Sequence, residues 1–196
     1  MDISPHRILI LDPCVRFDWR AIFGNEYPVE LDLGAGDGGF ALAYAQEHPQ
    51  SNLLAVERLL GRVRKIEKRA ARASLDNLRV LRLELAYTVR YLLPPNSVSV
   101  AHIMFPDPWP KRRHWPRRLM QPEFVRDLAT ALKPGGELRF TTDHDHYFET
   151  AQEAVTDANV LKRASEWSWA DDPKTDFQKT FDAEGRATYR ARWIKP

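Results

Sequence analysis

Residues 104–119 read MFPDPWPKRRHWPRRL, a set of side chains suited to holding a polar, phosphate-rich ligand. Asp107 stands between Pro106 and Pro108, whose rings restrict the backbone on either side of the carboxylate. Behind it come Lys111, Arg112, Arg113, Arg117 and Arg118, interrupted by His114 and Trp115. Clustered cations grip phosphates, while Trp109 and Trp115 offer faces on which a base can stack. Arg113, His114, Trp115, Arg117 and Arg118 therefore read as an RNA-contacting loop beside one positioned carboxylate. The plainer alternatives are an aspartate capping a turn and a solvated run of charge.

A second constellation lies upstream. ELDLGAGDGGF places Gly34, Gly36 and Gly39 between an apolar run and a helical pattern, formally a G-x-G-x-x-G turn, and Glu57 ends the next apolar run. A dinucleotide would use the glycines for close approach and Glu57 for the ribose hydroxyls. An adenosyl cofactor needs the same two services, but S-adenosylmethionine carries a sulfonium and an ammonium where a dinucleotide carries pyrophosphate. Asp32, two residues before Gly34, suits those cations better. Asp32, Glu57, Glu84 and Asp107 are expected at four successive strand ends, on the carboxyl edge where open α/β sheets bind ligands.

Other candidates are weaker. Arg58, Arg62, Lys65, Arg69 and Arg72 recur every three or four residues beside an apolar stripe of Leu59, Val63, Ile66, Ala70 and Ala73. That basic stripe reads equally as a solvated face or as an RNA contact. The acids and histidines of TDHDH are adjacent, and neighbours do not share a face, so no metal is expected. Cys14 is the single cysteine, which excludes an intrachain disulfide.

The elements that must carry these residues follow from periodicity. Strands are expected at 28–34, 52–57, 77–84, 97–105 and 137–142, with helices at 38–49, 58–74, 86–93, 122–132 and 147–158. KPGG is expected to be the turn into the fifth strand, and the alternating stretches 163–172 and 187–194 an antiparallel closing pair. Alternation at this spacing predicts a mostly parallel twisted sheet with helices on both faces and an antiparallel C-terminal edge. Residues 1–27 are expected to form an arm, and 28–196 one domain. With 43% hydrophobic and 29% charged residues the chain has the composition of a soluble globular protein, and its net charge of +2 means that RNA affinity requires local clustering. No apolar run nears the roughly 18 residues of a membrane span, and the start lacks a secretory pattern, so a cytoplasmic location is expected.

FPDPWPKRRHWPRRLMQPEF, with TTDHDHYFE downstream, resembles the tRNA (guanine-N7-)-methyltransferases from about residue 28 to the C-terminus. The resemblance implies a Rossmann-like class I methyltransferase fold, S-adenosylmethionine as cofactor, tRNA as partner in a monomer or homodimer, and methylation of N7 of a variable-loop guanine. It makes Asp107 catalytic and places Asp32, Gly34, Gly36, Glu57, Glu84 and Asp107 around the cofactor. Lys111, Asp143 and Thr175, Asp176, Phe177 and Gln178 fall on RNA-substrate positions. Asp32 stands where the family usually has Glu, Glu84 where it has Asp, and TDFQ where it has Thr-Lys-Phe-Glu. The rival readings are an NAD-dependent oxidoreductase and a non-catalytic RNA-binding protein.

Overall fold

The computed structural model describes residues 4–165 and 172–196. Among the described residues eight strands form one sheet: β1 (Arg7–Ile8), β2 (Val29–Leu33), β3 (Asn52–Val56), β4 (Leu78–Leu81), β5 (Val98–Met104), β6 (Leu132–Thr142), β7 (Lys162–Arg163) and β8 (Tyr189–Ile194). Their order across the sheet is β1-β4-β3-β2-β5-β6-β8-β7, parallel from β1 to β6 and antiparallel from β6 through β8 to β7. β2 (VELDL) and β3 (NLLAV) are buried at every position, as central parallel strands covered on both faces must be. The chain runs outward from β2 to β3 and then β4 before returning to β5, so the strand order reverses beside β2. Crevices at such switch points bind ligands.

Helices α1 (Trp19–Phe23), α2 (Gly39–Glu47), α3 (Leu60–Arg72), α4 (Leu85–Tyr87), α5 (Pro122–Ala131), α6 (Asp145–Ala158) and α7 (Asp176–Ala183) complete the fold, with a π-helical turn at Thr88–Leu92 and a 3-10 helix at Arg112–Arg117. Leu53 and Ala55 of β3 pack with α2 and α3, whereas Leu54 and Val56 pack with α5 and α6. Alternate residues of a strand point to opposite faces, so these two helix layers sandwich the sheet. Among the described residues no helix is long and apolar enough to cross a membrane.

Three expectations are revised. The third strand stops at Leu81 rather than 84, because the Glu84 carboxylate accepts the Ala86 and Tyr87 N–H groups at 3.0 and 2.7 Å and starts α4. KPGG is not a turn ahead of β6 but a bulge inside it. Val98 pairs with Leu132 and Val100 with Glu137, and Gly135 takes a φ of 76° within the bulge. Of the expected closing pair, the part Tyr189–Ile194 forms β8 and Arg163 lies in β7, while 166–171 falls outside the described residues. Within the first 27 residues, β1 joins the sheet edge through β4, held there by a bidentate ion pair from Arg7 to Glu67 of α3.

Candidate active site

The glycine turn is fastened to the end of β3. Gly34 and Ala35 donate to the Val56 carbonyl at 3.0 and 3.1 Å, and Gly36 N–H donates to Glu57 Oε2 at 3.0 Å. Gly34 and Gly36 have φ of 97° and 55°, a region that a side chain would strain. Glu57 Oε1 also accepts Leu59 N–H at 2.8 Å, so its carboxylate is held by the backbone on both oxygens while keeping lone pairs for a ligand. Asp32, 2% exposed, has Oδ2 buried with no hydrogen-bond partner. Burial, and then the charge of Glu57, push its carboxyl up to about 7. A buried carboxylate without a cation beside a second carboxylate is a site made for a positively charged ligand carrying hydroxyl groups.

Asp37, unremarked in the sequence, explains much of the basic stripe. Lys65 Nζ lies 2.6 Å and Arg62 Nε 3.6 Å from its carboxylate, and Arg69 Nη1 donates to its carbonyl at 3.1 Å. Three stripe cations thus clamp the glycine turn onto α3.

The FPDPW segment leaves β5 under backbone strain. Phe105 and Trp109, neither of them glycine, take φ of 52° and 45° at its two ends. Such conformations persist where surrounding contacts impose them, and they concentrate at functional sites. Asp107 between them is exposed, and its carboxylate makes no hydrogen bond or ion pair among the described residues.

The cationic loop behind it divides into two kinds of residue. Lys111, Arg112, Arg113 and Arg117 are exposed, with Arg117 lying 5.1 Å over the Trp109 ring and Arg113 Nε donating to His114 Nε2 at 3.2 Å. Arg118 does not belong with them, which corrects its assignment as an RNA contact. It is 3% exposed, and its guanidinium donates to the Pro108 carbonyl at 2.8 Å and Thr150 Oγ1 at 2.8 Å. It also lies over the rings of Trp115 and Tyr147 at 5.0 and 4.8 Å. Burial lowers its pKa. Arg118 is a strut that ties the carbonyl next to Asp107 to α6. Trp115 is half-buried against Arg118 and His146, and His144 accepts Tyr147 N–H to cap α6, so TDHDH serves as a helix start.

TDFQ begins a helix that the periodicity reading missed. Thr175 caps α7 by accepting Gln178 N–H at 2.9 Å, and Phe177 and Phe181 pack on Phe105 with ring centroids 6.1 and 5.3 Å apart. Asp176 presses on the start of α2, where a Cβ on Gly39 would come within 2.4 Å of its carboxylate. Asp143, at the end of β6, pairs with Arg186 at 3.3 Å just after α7. The structure therefore gathers the glycine turn, Phe105, Asp143 and α7 on the carboxyl edge. Thr175 and Gln178 are buried at 7% and 2%, leaving Asp176 and the half-exposed Phe177 as the parts of the motif that face outward. Glu84 caps α4 and lies exposed, three residues beyond the end of β4.

Comparison with known proteins decides between the readings of this site. A protein-family profile described as "Putative methyltransferase" matches residues 26–192. A tRNA (guanine-N(7)-)-methyltransferase from Myxococcus xanthus (strain DK1622) is 36% identical over 184 residues, 91% of this chain and 89% of the relative. The chain belongs to the tRNA (guanine-N(7)-)-methyltransferase family. The corresponding protein of Bordetella pertussis (strain Tohama I) is 34% identical, with 90% of this chain and 69% of that relative covered. The solved 16S rRNA methyltransferase KamB shares the fold of this methyltransferase at a TM-score of 0.65, over 91% of this chain and 93% of that one, with 19% identity. Membership sets aside the NAD-dependent oxidoreductase. S-adenosylmethionine is the cofactor, and the unpaired Asp32 oxygen beside the pinned Glu57 fits it.

Proposed function

We propose that this enzyme methylates N7 of a guanine in tRNA, in the cytoplasm, with Asp107 holding the base. The observation that carries the reading is Asp107 itself, an unpaired carboxylate fixed between two strained residues on the carboxyl edge. S-adenosylmethionine, when bound, supplies a methyl group carried on a cationic sulfur. Asp32 would hold its positive groups and Glu57 its ribose hydroxyls.

Guanine N7 has a lone pair and no proton, and lies with O6 on the base edge that faces the major groove. A new bond from N7 to the methyl carbon forms as the carbon–sulfur bond breaks, and the positive charge passes to the purine without loss of a proton. The protein therefore needs no general base. It needs alignment and exclusion of water. Asp107 can accept hydrogen bonds from guanine N1–H and the exocyclic amine, which both orients the ring and opposes its developing charge. Lys111, Arg113 and Arg117, exposed behind it, are available for phosphates, and Asp143, Asp176 and Phe177 for the rest of the nucleotide.

The test is transfer of labelled methyl from S-adenosylmethionine to bulk tRNA, followed by nucleoside separation. The expected product is 7-methylguanosine. Label in a different methylguanosine would overturn the target atom, and no label in tRNA would leave the RNA-binding reading of the fold.

A further inference from the structure

Helix α3 carries six cations, Arg62, Arg64, Lys65, Lys68, Arg69 and Arg72, against one acid, Glu67. That acid is buried and spent on Arg7. Arg62, Lys65 and Arg69 turn to Asp37. The remaining three, Arg64, Lys68 and Arg72, follow one another at intervals of four, a spacing that puts them one above the other on one face. All three are exposed, and none has an ion pair or hydrogen bond among the described residues. They form a straight cationic line about 12 Å long whose members repel one another.

The opposite helix layer shows the reverse charge in the same geometry. Glu149, Glu153 and Asp157 of α6 are exposed at intervals of four and line an open groove with Gln152 and Thr156. Their carboxylates make no ion pair among the described residues; the nearby Arg126 donates instead to the Asp157 carbonyl at 3.1 Å and Arg163 to Gln152 Oε1 at 3.4 Å. The chain's net charge of +2 thus conceals a separation of charge across the sheet. A polyanion reaching the carboxyl edge is drawn toward one face and repelled from the other.

We propose that Arg64, Lys68 and Arg72 form a second contact surface for the phosphate backbone of the RNA substrate, separate from the loop behind Asp107. The RNA then leaves the carboxyl edge over α3 and away from α6. This rests on the tRNA reading above and adds the direction in which the substrate lies. Such contacts position the RNA without reading its sequence.

The experiment measures tRNA binding across a salt series for the wild-type chain and two triple variants. One is Arg64→Gln, Lys68→Gln and Arg72→Gln; the other is Glu149→Gln, Glu153→Gln and Asp157→Gln. All six positions are exposed, and circular dichroism verifies folding. The first variant is expected to bind several-fold more weakly, with a salt slope shallower by roughly 2–3, since each phosphate no longer neutralised takes away about 0.7–0.9. The second is expected to bind as tightly as wild type or tighter, with an unchanged slope. An unaltered affinity and slope in the α3 variant would overturn the proposal while leaving the tRNA reading intact, as would weakening by the α6 variant alone. Wild-type protein without salt-dependent tRNA binding would overturn both.

Discussion

Replacing Arg118 with Met separates its role as a strut from that of an RNA contact. The change removes hydrogen bonds to the Pro108 carbonyl and Thr150 Oγ1, together with stacking on Trp115 and Tyr147, from a site only 3% exposed. Hydrogen bonds to a charged group contribute about 1.5–3 kcal/mol each, and Met recovers part of the packing, so the net loss is about 3–5 kcal/mol. For a chain of this size that lowers the melting temperature by roughly 6–20 °C. Well below the melting point the protein remains folded, but the Pro108 carbonyl is no longer held and Asp107 shifts. Misplacement by about 1 Å costs on the order of 10² in rate. Single-turnover methylation at saturating tRNA should fall by about that factor, while tRNA affinity and its salt slope stay near wild type. Arg118→Lys, which keeps the charge but places its donors on a single nitrogen, should recover part of the rate. Combined with Asp107→Asn, Arg118→Met should add much less than its separate effect, because both changes act on one group. A salt slope shallower by about one with an unchanged single-turnover rate would refute the strut and return Arg118 to the RNA surface.

Two further outcomes concern the cofactor. Glu57→Gln should weaken S-adenosylmethionine binding by about 10–100-fold in calorimetry, because the ribose hydroxyls lose a charged acceptor; unchanged affinity would remove Glu57 from the site. Asp32 is raised from 3.8 to about 7, so the free protein keeps it protonated below that value and a bound cation ionises it. Binding near pH 6 should therefore release close to one proton, and binding near pH 8.5 almost none, measured in buffers of differing ionisation enthalpy; pH-independent proton release would refute the assignment. Since the raised acid binds more protons folded than unfolded, the free protein should lose stability as pH rises from about 4 to 7, by up to about 4 kcal/mol from this group. Asp32→Asn should flatten that slope in thermal melts.

The fold was legible because each central strand is a short apolar run bounded by turn residues and each helix carries one apolar face. The positions of Glu57 and Asp107 just beyond strand ends were legible for a related reason, since a strand end fixes where the next residues must lie. Glu84 was misplaced because nothing in an apolar count marks where a strand yields to a helix cap. Arg118 was hidden within a run of like cations, whose inward and outward members differ only through contacts with Thr150 and Tyr147, far along the chain. The role of Asp37 was equally non-local, depending on α3 folding back over the turn. Helix α7 did leave a signal, with Thr175 as cap, Phe177 and Phe181 four apart and Gly185 past the end. It was short enough to pass for a binding loop.

The most direct test of the central claim is single-turnover methylation of tRNA by wild type and Asp107→Asn from about pH 6 to 9. The amide keeps the shape, loses the charge and turns an NH2 toward a donor on guanine. The account predicts a fall of roughly 10²–10³-fold, the cost of losing one preorganised electrostatic group, with tRNA affinity nearly unchanged. It also predicts no limb in the wild-type rate from a general base titrating near neutrality, since N7 carries no proton. A mutant with near wild-type rates would contradict the role of Asp107, and a general-base limb, with the rate falling toward low pH, present in wild type and lost in the mutant would contradict guanine N7 as the acceptor.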